Sequence, residues 1–200
     1  MISGLVALGV QMMVAGGGLR VQEVADGVVR PMTSVVVTAK KEKVVNYDIS
    51  VRGAVRGDVE EFRRIVAETF ADGRGWGRAG VKFVEVASGG AMHVVLASGA
   101  EVRAASSGCS DVLSCRVGSL VLINDTRWME GSDSYNALGL PLAEYRRMVV
   151  NHEVGHYLGH GHIESCETGT GLAPVMLQQS TGLRGCGANA WPLPGELWWR

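Results

Sequence analysis

At 200 residues, 46% of them hydrophobic and 20% charged, the chain is long enough to bury one core unaided, and one domain with one site is the expectation. Nineteen Lys and Arg against twenty Asp and Glu give a formal charge of -1. The basic residues are scattered rather than gathered into a stripe, which argues against a nucleic-acid partner.

The N-terminal run from Ile2 to Leu19 is apolar apart from Ser3, Gln11 and its glycines. It reads as an export signal, but no Lys or Arg precedes Arg20 to supply a basic n-region. Its length barely spans a bilayer and its glycines weaken a helix. Cleaved signal, membrane or envelope anchor and mis-called start are the three readings it leaves. Residues 20 to 43, with Pro31 and the run Lys40, Lys41, Glu42 and Lys43, show no sustained period and read as a linker or stalk. The folded domain is expected over residues 44 to 200.

That domain opens on a strand, because Val45, Tyr47, Ile49 and Val51 alternate with polar residues. Asp58 then caps a helix with Glu60 and Glu61 in its first turn and Phe62, Ile65, Val66, Thr69 and Phe70 at helical spacing, ending at Asp72 and Gly73. The β-branched and aromatic stretch from Val81 to Val86 predicts a second strand, Met92 to Ala97 a third and Ser119 to Asn124 a fourth. Between the last two lies a loop with two cysteines. The Trp-containing stretch from Asp125 to Asp133 is rich in turn residues. Leu142, Tyr145, Met148, Val149, His152 and His156 follow helical spacing up to Gly159, and from Gly161 the chain is loop-rich. The fold class is therefore α+β: a twisted mixed sheet with two main helices packed on it, then an irregular C-terminal subdomain from near Gly161, with the cleft between these two parts.

The four cysteines allow three pairings. Cys109 with Cys115 and Cys166 with Cys186 are favoured, since each closes a local loop, and an even count in a loop-rich domain fits an oxidising compartment, extracellular or in the cell envelope. The alternative is four free thiols in the cytoplasm. A cysteine metal site is disfavoured because no CxxC pair is present.

The stretch His152-Glu153-Val154-Gly155-His156-Tyr157-Leu158-Gly159-His160-Gly161-His162 contains HExxHxxGxxH in full. Two histidines four apart on a helix project from one face, so both imidazoles can reach one zinc ion while Glu153 lies beside them as the base. A catalytic zinc takes three protein ligands and keeps one position open. His162 is the expected third ligand, because Gly159 can adopt the left-handed conformation that ends the helix and turns the chain back. His160 is rejected: on an unbroken helix it would lie about 12 Å from His152 along the axis. It is expected to be exposed or to support the ligands from behind.

HExxHxxGxxH is the zinc signature of the metzincin metallopeptidases, which this chain resembles at His152, Glu153, His156, Gly159 and His162. The resemblance implies one Zn²⁺ ion, peptide-bond hydrolysis with Glu153 as general base, and a turn that sets a methionine beneath the metal. Ala173-Pro174-Val175-Met176 is similar to that turn, with Met176 as its methionine. Where some metzincins place a Tyr two residues later, this chain has Gln178, so Gln178 or Gln179 is either an oxyanion donor or an ordinary loop amide. The chain also resembles an uncharacterised family of secreted actinobacterial metzincin-like domains over residues 44 to 195. The matching stretches are Asp72-Gly73-Arg74-Gly75-Trp76, Cys109 with Cys115-Arg116-Val117-Gly118, Ile123-Asn124 with Arg127-Trp128, and Asn151 through Pro192.

The expectation is thus a monomeric, secreted or envelope-associated zinc endopeptidase taking a peptide or protein substrate. Such a substrate would add to an exposed strand edge, for which Met92 to Ala97 is the candidate. Two other classes stand beside it, a zinc hydrolase of a non-peptide cell-wall amide and a catalytically silent zinc-binding protein. The retained Glu153 argues against the silent protein.

Overall fold

A computed structural model describes the backbone of residues 9–15, 18–25 and 28–29, and residues 42–200 in full. The chain divides into two units, Met1–Lys41 and Glu42–Arg200. In the first, β1 (Gly9–Ala15) pairs antiparallel with β2 (Gly18–Ala25), and β2 with the short β3 (Val28–Val29). Of residues 20 to 43, read as a linker or stalk, β2 and β3 take up 20–25 and 28–29, while residues 26–27 and 30–41 lie outside the described residues. The apolar run read as signal or anchor also falls partly outside them. No helix among the described residues is long and apolar enough to cross a membrane.

The second unit is α+β. It begins with β4 (Lys43–Arg52), whose Val45 and Tyr47 are buried as the alternation predicts. Then α1 (Val59–Ala71) starts where Asp58 accepts a hydrogen bond from the Glu61 amide. After β5 (Val81–Glu85) and β6 (Met92–Ala97) come a short helix, α2 (Gly99–Ala105), a hairpin of β7 (Cys115–Val117) with β8 (Leu120–Asn124), two short helices, α3 (Asp125–Glu130) and α4 (Asp133–Asn136), and finally α5 (Leu142–Leu158). The turn-rich reading of Asp125 to Asp133 gives way to α3. Its start is set by Asn124, which is buried and accepts from the Thr126 and Arg127 amides.

The sheet order is β5-β4-β6-β8-β7, parallel except for the antiparallel β7. One face carries the main core, where Val94, Leu96, Val121 and Ile123 meet Phe62, Ile65 and Val66 of α1 and Val149, Val150 and Val154 of α5. Val95, Ala97 and Leu122 pack on Val102 of α2 on the other. The strand Met92–Ala97 is therefore central and not an edge, which corrects the sequence expectation. Its apolar side chains point to both faces because both are covered. Among the described residues the edges are β5 and β7.

Beyond Gly159 the chain is irregular as expected, with one isolated bridge between Leu172 and Gly187 and a single 3₁₀ turn, Pro194–Glu196. Both disulfides form as the spacing suggested, Cys109–Cys115 and Cys166–Cys186, and no described cysteine is free. They fit an oxidising environment.

Candidate metal centre

His152, Glu153 and His156 lie in the last two turns of α5, and the helix ends at Gly159 in the left-handed region, φ 105°. The Gly159 amide bonds to the His156 carbonyl and the His160 amide to the Gly155 carbonyl, closing the helix end. The chain then doubles back, and the Ile163 amide donates to the Met176 carbonyl at 3.1 Å, holding His162 over the helix. The candidate ligand atoms of His152, His156 and His162 all lie within 4.8 Å of one another.

Two of the three rings are aimed by the backbone. A carbonyl can only accept, so His152 Nδ1 donates to the Val175 carbonyl at 2.8 Å and His156 Nδ1 to the His160 carbonyl at 2.9 Å. Each Nε2 is left with its lone pair facing the other histidines. His156 Nε2 lies 3.1 Å from His162 Nε2. Two nitrogens each bound to one tetrahedral zinc are about 3.3 Å apart, so the residues present fit such an ion. Burial lowers the pKa of all three, His152 to about 3, which keeps the rings neutral and able to ligate at neutral pH. Burial pushes the Glu153 carboxyl the other way, up to about 8. A cation held beside it pulls in the opposite direction.

Met176 is fully buried beneath this helix turn. A Cβ on Gly155 would overlap Met176 Sδ and stand 2.9 Å from Trp76 Cζ2, so Gly155 is what lets the methionine approach. Gly155→Ala is expected to lower stability by about 1–3 kcal/mol through overpacking, read as a reduced urea midpoint at unchanged m-value.

The histidines, Glu153 and Gln178 line a cleft of about 300 Å³, bounded on the opposite side by the Cys109–Cys115 loop and Arg116. Over residues 16–194 the chain matches the model of a family described as a protein of unknown function, DUF3152. The chain belongs to this family. No curated protein matches it. In this DUF3152 protein the match covers α5, the histidine cluster, Met176 and both disulfides, so the whole candidate centre lies inside the family's span.

Three residues differ from expectation or were not anticipated. His160 is buried at 6% exposure, between Trp76 and Trp198, and its Nε2 bonds to the Trp198 carbonyl. It is thus not exposed, and its backbone, not its ring, serves the site. Gln179 is also buried. Its amide donates to the Pro174 and Asn189 carbonyls, and its oxygen accepts from the Asn189 amide and the Tyr135 hydroxyl. Both of its N–H groups are committed, which removes it as an oxyanion donor. Gln178 lines the cleft and forms no side-chain hydrogen bond with other described residues.

Glu196 was not anticipated. Its buried carboxylate accepts from the Val175, Met176 and Leu193 amides at 3.1, 2.8 and 2.7 Å, clamping the turn that carries Met176. The sequence signal was slight, a Pro-Gly-Glu turn far from the motif. Glu196→Ala leaves two buried donors and one part-buried donor unpaired and is expected to cost about 3 kcal/mol or more, measured by denaturant unfolding.

Proposed function

We propose that this protein is a zinc-dependent endopeptidase of the metzincin type, secreted or held at the cell envelope. The observation that carries the reading is the convergence of His152, His156 and His162 beside buried Glu153 at the floor of an open cleft. Held by His152, His156 and His162, a zinc ion would supply a Lewis acid for the scissile carbonyl and would lower the pKa of water there toward about 7.

The chain's own residues do the rest. Among the described residues Glu153 is the one carboxylate lining the cleft. It takes a proton from water at its carboxylate oxygen and passes it to the leaving amine nitrogen. Val175 and His160 hold the ligand rings through their carbonyls, so little reorganisation accompanies reaction. Met176, fully buried against Gly155, packs behind the helix turn that carries the ligands. Substrate adds antiparallel to β7, the edge strand at the cleft, in place of the central strand first considered. The two disulfides support an extracytoplasmic setting.

The test is metal content of the purified full chain together with cleavage of casein and a peptide library, before and after chelation. One zinc per chain, with cleavage lost on chelation and restored by zinc, is the expected result. Zinc without peptide cleavage sinks the peptidase reading and moves the site to another amide or to binding. Absence of any bound metal after zinc loading removes the centre itself.

A further inference from the structure

The proposed peptidase site contains a cation that its hydrolytic chemistry does not use. In the β7–β8 ladder Arg116 lies opposite Val121. Directly opposed residues of an antiparallel pair point to the same face. Val121 is fully buried in the core shared with α5, so Arg116 projects to the α5 side of the sheet, where it lines the cleft.

Arg116 forms no ion pair or side-chain hydrogen bond with another described residue, and it is the only Lys or Arg among the cleft-lining residues. It is also fixed in place. Cys115 next to it is bonded to Cys109, and the ladder with β8 holds its backbone. On its outer side β7 has no strand partner among the described residues. A strand added there pairs one of its residues directly with Arg116, and by the same opposition rule that side chain turns to the α5 side, Cβ to Cβ about 4.5–5.5 Å away.

Resting on the peptidase reading, we propose that Arg116 is a specificity-determining residue that selects a carboxylate on the substrate residue paired with it across β7. A planar guanidinium binds a carboxylate through two parallel N–H bonds, a geometry that neither an amide nor a lysine reproduces. Two sources share this chemistry, an Asp or Glu side chain within an extended peptide and the terminal carboxylate of a chain.

The test measures equilibrium binding by fluorescence anisotropy to the zinc-loaded full chain carrying Glu153→Gln, so that binding is read without turnover. The probes are an extended heptapeptide with one central Glu and an amidated C-terminus, its Gln counterpart, and the Gln peptide with a free C-terminal carboxylate. One acidic probe is expected to bind about tenfold tighter than the neutral one, and which one does so identifies the source. Adding Arg116→Gln should bring that ratio to about one, and Arg116→Glu should turn the preference toward a Lys peptide. An unchanged ratio in Arg116→Gln overturns the assignment, as does equal or undetectable binding of all probes. Because binding is read separately, a preference that depends on Arg116 in a protein whose wild type cleaves nothing keeps this inference and discards the peptidase reading alone.

Discussion

Glu153→Gln is expected to lower peptide cleavage by about 10²–10⁴-fold while zinc content stays at the wild-type level. On the proposed reading the side chain lines the cleft but is not one of the three converging histidines, so its loss would remove proton transfer and leave the metal's holders intact. Gln keeps the volume of Glu at a site 5% exposed. A neutral amide costs less to bury than a carboxylate, so the thermal midpoint should not fall. Metal analysis, steady-state cleavage and a thermal melt on one preparation check all three points. Loss of zinc in step with activity would show Glu153 to be a ligand or a structural support instead. Near wild-type cleavage with zinc retained would remove it as the base.

The second large effect is expected at His162. Substituting partners that merely orient a ligand costs roughly 10–100-fold in metal affinity, so His162→Ala, which removes a ligand outright, should cost more than ~100-fold. The side chain is exposed, so the fold of the zinc-free protein should change in stability by no more than about 0.5 kcal/mol. Gly159→Val should reproduce much of the affinity loss without touching an imidazole. Position 159 has φ 105°, and a Cβ there would lie 3.2 Å from Arg200 Cβ. A branched side chain disfavours that backbone and so the turn that returns His162. Competition with a chromophoric chelator measures affinity, and circular dichroism checks that α5 persists. Unchanged affinity in His162→Ala would leave His152 and His156 in need of a different third ligand.

Much of this candidate centre was legible because converging histidines demand fixed spacing. Four residues on a helix put His152 and His156 on one face, and Gly159 marked where the chain must turn, which the structure bears out at φ 105°. The α+β class, α1 with its Asp58 cap and both disulfides were equally local signals. The misreadings come from information that is not local. Val94-Val95-Leu96-Ala97 lacks alternation because α2 covers the face that Val95 and Ala97 present, so its composition already spoke for a central strand, but the covering helix was not foreseen. β7 is three residues long and its pairing depends on β8, so no period could show it. For His160 the sequence left two places open, exposed or behind the ligands, and the second holds because Trp76 and Trp198, distant in the chain, enclose its ring. Glu196 and Gln179 act on backbone amides and carbonyls, which have no sequence identity to read.

The orientation of the two helical ligand rings by the carbonyls of Val175 and His160 has an evolutionary corollary. Every amino acid carries a carbonyl, so what must be preserved at these two positions is the path of the chain and not the side chain. Divergent relatives should therefore tolerate other apolar residues at Val175 while tolerating no insertion or deletion between Ala173 and Met176 or between His156 and His162. Gap placement, more than residue identity, would mark which of them keep a working centre.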